Sequence, residues 1–200
     1  LHLLLPWIRA KNGMLLLASL AFYAYGEPVY VILMIASAFV NYLSALLIGK
    51  NPARKKAVMA VNVILNLGVL VLFKYTGFLA ESVNTIFGTA IPMPSIRLPI
   101  GISFFTFQAM SYVIDVYRGV TGAQKNFGKV LLYISFFPQL IAGPIVKYHD
   151  IAQEIENRTQ TVDGVTDGIR RFVVGLSKKV LISNTVGLVA DTLFAADVSG

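Results

Sequence analysis

The 200-residue sequence has no cysteine, one tryptophan and two histidines, and only 14% of its residues are charged. Without cysteine there is no disulfide, no Cys-ligated zinc, no iron–sulfur cluster and no thiol nucleophile. The charged fraction is well below the roughly 25% of a typical soluble protein, which leaves too few charges to coat a globule in water. The chain also lacks a glycine-rich phosphate loop, a fixed-period repeat and a low-complexity tail. What it has in abundance is apolar side chain, at 56% of residues. The net charge of +7 would suit nucleic acid if the basic residues formed one surface. They fall instead in short clusters between long apolar runs, as in a multi-pass membrane protein with basic loops on the cytoplasmic side. The expected fold class is therefore all-α, a polytopic transmembrane helix bundle, with the lipid bilayer as first partner and no role for nucleic acid.

The distance between charges defines the spans, because a helix rising about 1.5 Å per residue needs roughly 20 residues to cross the hydrocarbon layer. Between Glu27 and Lys50 lie 22 uncharged residues, and the runs Ala57 to Phe73, Leu98 to Ile114 and Val130 to Val146 have 17 each. Snorkelling Lys or Arg at their ends makes the shorter runs adequate. The expected spans are 13–26, 29–49, 57–73, 98–117, 130–146 and 172–190, all within one multi-pass membrane domain covering 1–200. Asn12 to Gly26 is uncharged for only 15 residues, so a short span, a re-entrant piece and an interfacial helix all fit it. The last span is interrupted by Lys178 and Lys179 and suits a helix entering from the cytoplasmic interface.

Lys50, Arg54, Lys55 and Lys56 form the densest basic cluster, and Asn51-Pro52 marks a turn there. Placing it in the cytoplasm puts Lys74 to Arg97 outside, with breaks at Pro92 and Pro94, and returns Arg118, Lys125 and Lys129 to the inside. A full crossing by 130–146 would then strand Lys147, Arg158, Arg170 and Arg171 outside. Pro138, Gly143 and Pro144 offer a solution, since proline removes a helix donor and clashes with the preceding turn. The segment is expected to dip in and return, its irregular backbone covered by protein or a water-filled cavity. The match Asn157-Arg158-Thr159 to a glycosylation sequon is too short to carry weight.

Polar residues within the spans keep helical spacing. Ser37, Asn41 and Ser44 follow i, i+4, i+7, and Asn62 and Asn66 are i, i+4. These read as hydrogen-bonding glue between helices. Gln108, Ser111, Tyr112 and Asp115 form a fuller stripe at i, i+3, i+4, i+7, where glue and the lining or support of a hydrated tunnel are both open. Asp115 and Arg118 are spaced for an ordinary salt bridge at a helix end. Trp7, Tyr23, Tyr25, Tyr75 and Tyr117 fall near span ends, as an aromatic belt would. Of the histidines, His2 has no context, and His149 in Lys147-Tyr148-His149-Asp150 reads as a solvated or structural loop residue rather than a base.

Two blocks carry a resemblance. Leu98-Pro-Ile-Gly-Ile-Ser-Phe-Phe-Thr-Phe-Gln108 with Ser111-Tyr-Val-Ile-Asp-Val-Tyr-Arg-Gly119, then Phe136-Phe-Pro-Gln-Leu-Ile-Ala-Gly-Pro144 with Lys147-Tyr-His-Asp150, look like signature blocks of the membrane-bound O-acyltransferases. Phe22-Tyr-Ala-Tyr25, Phe73-Lys-Tyr75 and the stretch from Arg171 to Lys179 extend the similarity. It is nearest the bacterial branch that acetylates alginate, with the teichoic-acid D-alanyl transferases more distant.

The resemblance implies an integral enzyme of the bacterial inner membrane. It would move an acetyl or other acyl group from a cytoplasmic thioester such as acetyl-CoA toward hydroxyls of an exported polysaccharide, helped by periplasmic or extracellular acyl-transfer partner proteins. No bound cofactor and no metal are implied. The family's catalytic histidine follows a tryptophan in a later membrane segment, and no Trp-His pair occurs here. No catalytic residue is therefore expected in this chain, and that histidine is expected downstream of Gly200. The chain is thus expected to be an N-terminal portion of the enzyme, inactive alone. Gln108, Ser111, Tyr112 and Asp115 are then candidates to line or support a tunnel, and Pro138, Gly143 and Pro144 to break the backbone at its wall. A transporter or channel-like protein, and a scaffold that recruits acyl-handling partners, are the alternatives from other classes.

Overall fold

The computed structural model describes residues 7–89, 92, 97–140, 143, 146–159 and 161–195. His2, Pro94, Gly200 and four positions of the 130–146 segment, Pro144 among them, lie outside the described residues. The expectation attached to Gly200, a catalytic histidine further along, therefore falls outside them as well. Among the described residues the fold is all-α, without strands. The chain divides into two compact units, with the boundary between Arg158 and Thr159.

The first unit begins with α1 (Ile8–Gly26), α2 (Tyr30–Lys50) and α3 (Lys55–Lys74), the last two joined through a 3-10 turn at Pro52–Arg54. Pro52 cannot continue α2 but opens the next turn with its preset φ. α4 (Thr76–Phe87) fills part of the stretch expected to be loop, and ends on Gly88 at φ 61. α5 (Ile102–Arg118) starts four residues later than the span expected from Leu98, because Pro99 and a left-handed Gly101 at φ 78 hold the entry in a turn. α6 (Phe127–Ser135), α7 (Phe137–Leu140) and α8 (Tyr148–Asn157) complete the unit.

α5 forms the core of this unit, packed by α2, α3, α6 and α8. Phe105, Ala109, Tyr112 and Val113 of α5 are fully enclosed, with Met34, Ala38 and Ala45 of α2 and Val130, Tyr133 and Ile134 of α6. The outward surfaces are apolar as well. Ile32, Phe39, Leu43 and Leu47 on α2 and Ile64, Leu65 and Leu72 on α3 are exposed. So continuous an apolar surface does not face water in a soluble protein. Tyr30–Lys50 and Pro52–Lys74 are long and apolar enough to cross a membrane, as is the helical run Val162–Ala195 of the second unit. The glue expected between α2 and α3 is present: Asn41 Nδ2 donates to Asn66 Oδ1 at 3.0 Å, and Asn62 and Asn66 Nδ2 both donate to Asn41 Oδ1.

The 130–146 segment is broken. α6 stops at Ser135 and Phe136 turns out of helical geometry at φ −56, ψ 110. Pro138 has no N–H for the carbonyl of Ile134, so the helix cannot run through. Both flanks of the segment lie at one end of the unit. Lys129 pairs with Glu156 of α8, and Gln124 Nε2 donates to the Tyr148 hydroxyl. The basic cluster is at that end too, with Lys55 Nζ 5.2 Å from the centre of the Tyr117 ring.

The second unit is one helical run of 34 residues. It consists of α9 (Val162–Lys178), a π-helical turn at Lys179–Ser183 and α10 (Asn184–Ala195). At about 1.5 Å per residue it extends about 51 Å, more than one hydrocarbon thickness. The Thr161 side chain caps its start by accepting from Gly164 N.

Candidate functional site: a polar clamp on a broken helix

The site follows from the broken helix. In an unbroken α6 the Tyr133 carbonyl would accept from the N–H of Phe137, four residues on. That N–H donates instead to Ser19 Oγ of α1, at 3.3 Å. A carbonyl freed at membrane depth needs other donors. Gln108 Nε2 of α5 supplies one at 2.7 Å, and Gln139 Nε2 of α7 the other at 2.8 Å. The break is therefore stabilised by two carboxamides that a continuous helix would not require.

The rest of the α5 stripe acts on the same segment. Ser111 Oγ donates to the Gln108 carbonyl and lies 3.4 Å from the Tyr133 hydroxyl, which donates to the Val146 carbonyl at 2.8 Å. The Tyr112 hydroxyl accepts from Gln124 N at 2.8 Å, and its ring packs against Tyr148 with centroids 4.8 Å apart. Asp115 Oδ2 meets His149 Nδ1 at 3.0 Å. Gln108, Tyr112 and Asp115 are all buried. All four predicted stripe residues thus converge on one neighbourhood, where they meet Gln124, Tyr133 and His149. Tyr112 and Asp115 face residues on either flank of the break, and Gln108 faces the break itself.

Two sequence readings are corrected here. Among the described residues the side-chain partner of Asp115 is His149, not Arg118, because α8 brings the imidazole onto the carboxylate. His149 itself is a helical residue, the second of α8, held between Asp115 and Asp150, whose Oδ1 lies 3.1 Å from Nε2. Nδ1 is taken up by the Asp115 carboxylate, while Nε2 lies beside the exposed Asp150. The ring ties α5 to α8. Gly143 packs on the backbone of α7: a Cβ there would sit 2.4 Å from Gln139 Cα. Pro138 is in α7, and Pro144 lies outside the described residues.

α8 closes the clamp at the basic end. Glu156 accepts from Gln124 Nε2 and pairs with Lys129, whose hydrogen bond holds the carboxyl below its ordinary range. Burial pushes the Tyr148 hydroxyl up. An open groove of about 540 Å³ runs beside this helix, bordered by Gln124, Lys125, Tyr148 and Gln153. Among the described residues no group of three or more His, Asp or Glu side chains is arranged to hold a metal.

A second tether, which the sequence reading missed, sits at the opposite end. Glu27 served only as a span boundary, yet its side chain is 3% exposed. It accepts from Ile100 N and Arg97 Nη2, both at 3.3 Å. Tyr23 donates to the Ile100 carbonyl at 2.9 Å and Tyr30 to the Arg97 carbonyl at 3.0 Å. Tyr23 is accordingly a core residue and not part of an aromatic belt, whereas Tyr25 and Trp7 are exposed. α5 is thus pinned at both ends, by Glu27 where it begins and by His149 where it stops. No spacing in the sequence signals either partner, because 73 residues separate Glu27 from Ile100 and 34 separate Asp115 from His149.

The chain is 39% identical over 194 residues to a protein of Pseudomonas syringae pv. tomato named "Probable alginate O-acetylase AlgI", covering 94% of this chain and 38% of that protein. A protein of the same name from Pseudomonas aeruginosa is 39% identical over 194 residues, covering 94% and 37%. The "Peptidoglycan O-acetyltransferase" of Helicobacter pylori is 31% identical over 216 residues, covering 91% and 41%. The chain thus spans about two fifths of the length of the curated relatives it matches. No family model matches it. No solved structure matches it.

Proposed function

The chain belongs to the membrane-bound O-acyltransferase family, and on that premise we propose that it forms part of an integral-membrane enzyme that acetylates hydroxyls of an exported polysaccharide. The observation that carries this reading is the 39% identity to "Probable alginate O-acetylase AlgI" across 94% of the chain. Alginate is the acceptor that similarity favours. The donor is a thioester such as acetyl-CoA, presented from the cytoplasmic face of the inner membrane. The basic end of the first unit faces that side, as the positive-inside rule requires.

The reaction needs an acceptor oxygen to attack the thioester carbonyl while a base removes its proton, and the departing thiolate to be protonated. His149 is tied to Asp115, and the base is the histidine that the family resemblance places in a later membrane segment. The clamp's part is to hold the backbone at Tyr133 and Val146 and to tie Gln124 and His149 to α5. A break held in this way gives one wall of a passage where donor and acceptor meet without either crossing lipid. Periplasmic partner proteins then receive or deliver the acyl group.

The test uses the complete enzyme in its membrane. Asp115→Asn and Gln108→Leu are expected to lower acetyl transfer, with the protein still inserted and resistant to carbonate extraction. Unchanged transfer in both would remove the clamp from the reaction, and absence of any acetyl transfer by the unaltered enzyme would remove the proposed activity.

A further inference from the structure

Beside the clamp, at the same end of the unit, lies a groove that the acyl-transfer reading does not use. It has a volume of about 420 Å³ and is lined by Leu46, Gly49 and Lys50 from the last turn of α2 and by Ala123 and Lys125 from the loop after α5. The loop is fixed in place. Tyr42 donates to the Lys125 carbonyl at 2.9 Å, and Gly49 leaves only enough room that an added Cβ would lie 3.2 Å from Ala123 Cβ.

The charge at the groove is unbalanced. Among the described residues neither Lys50 nor Lys125 is in an ion pair, whereas the neighbouring Lys129 is neutralised by Glu156 and Lys55 lies over the Tyr117 ring. Two unpaired ammonium groups frame the opening, and both sit where α2 reaches its polar end. Below them the surface turns apolar and aromatic. Phe39, Tyr42 and Phe127 form a cluster with ring centroids 5.5 Å apart between Phe127 and each of the others. Phe39, Leu43 and Leu47 remain exposed along the outward surface of α2.

We propose that this groove binds an anionic phospholipid, its phosphate between Lys50 and Lys125 and an acyl chain along Leu46, Tyr42 and Phe39. The assignment follows from charge complementarity at the mouth and from an apolar wall that continues into the hydrocarbon depth of α2. A soluble phosphate compound would use the lysines and leave the wall idle. A zwitterionic lipid would use the wall and offer its phosphate, but would bring an ammonium of its own to a mouth that already holds two, so the site would stay positive. Basic residues near an anionic leaflet attract it in any case. The groove adds a defined seat, with a lipid retained when bulk lipid is diluted. The inference rests on lipid as the solvent of α2 and is independent of the acetyl-transfer reading.

The full-length protein, purified in mild detergent and placed in nanodiscs of phosphatidylcholine with a minor fraction of phosphatidylglycerol, provides the test by native mass spectrometry after release. Retained phosphatidylglycerol is expected on the unaltered protein and to fall about thirtyfold in Lys50→Gln/Lys125→Gln, from the loss of two cations close to the headgroup. Leu46→Trp keeps both charges and fills the seat, and it is expected to release the lipid as well. Lys56→Gln, an exposed charge of the same basic cluster in the first turn of α3, is expected to retain it. Equal loss in Lys56→Gln and in the groove variants would mean diffuse attraction, and full retention in Leu46→Trp would mean the groove is not the seat. Displacement of the lipid by millimolar glycerol phosphate would overturn the acyl-chain contact. Carbonate extraction and acetyl transfer, measured on the same preparations, report insertion and activity separately from lipid binding.

Discussion

α2–α3 and α5–α8 start from the same sequence signature, polar residues at helical spacing within apolar runs, and build different things from it. Between α2 and α3, Asn41, Asn62, Asn66 and Ser44 bond to one another, side chain to side chain, with Asn62 Nδ2 reaching Ser44 Oγ at 3.1 Å. That network joins two long regular helices and leaves the backbone ladder intact. On α5 the partners are a freed carbonyl at Tyr133, a loop amide at Gln124 and an imidazole on α8. There Gln108 and Tyr112 bond to backbone groups outside any helical ladder, and Asp115 ties in the helix that follows. The lesson is that a buried polar stripe either joins two helices or supports the break in a third, and the difference lies in the partner.

The largest effect is expected at the break. Gly143→Ala places a Cβ 2.4 Å from Gln139 Cα, against backbone that cannot rotate aside. A loss of about 3 kcal/mol is expected from such overpacking, with acetyl transfer abolished in the complete enzyme. Thermal unfolding in detergent would show it, and an unshifted midpoint would mean that the backbone at Gln139 gives way.

Next is Asn41→Leu, which removes three interhelical bonds. At about 0.6 kcal/mol each the loss is about 2 kcal/mol. The comparison predicts that transfer per folded molecule is unchanged, since this network joins helices and holds no broken backbone. A lowered turnover at full folding would erase the distinction between the two regions.

Asp115→Asn should behave in the opposite way. It keeps a hydrogen bond to His149 and loses the charge, so stability should fall by less than about 1 kcal/mol while turnover falls about tenfold. His149→Gln is expected to track it.

The smallest effect belongs to Glu156, which is largely solvated. Its carboxyl is held below 4.5 by the Lys129 hydrogen bond. The stabilisation is therefore present above the unfolded value and is lost as pH falls through the lower folded one. Glu156→Gln should flatten the acid limb of the stability profile below about pH 4.5 and leave it unchanged near neutrality.

Much of the fold was legible, for reasons that are local. The charge gaps located α2 and α3 within a few residues, because lipid tolerates few charges over a crossing. The faces of α2, α3 and α5 followed from spacing alone. Other features were not legible. α4 was missed because Glu81 and the small residues around it resemble a loop, and the helix of the second unit extends on both sides of 172–190 because proximity of charges does not stop a helix. Tyr23 has the position of a belt residue, and only the tertiary fold puts its hydroxyl on Ile100. His149 has the neighbours of a solvated side chain, and only α8 carries it to Asp115.

What the sequence determined by itself is the solvent of this protein and the direction in which each helix turns its polar side, since both depend on residues within a few turns of one another. Which groups those sides meet was decided only by tertiary structure. Glu27 finds Ile100, Gln108 finds the Tyr133 carbonyl and Asp115 finds His149 across gaps that no periodicity spans. The physical reason is that a helix fixes the angle of a side chain about its own axis, while its neighbours come from the packing of the whole unit.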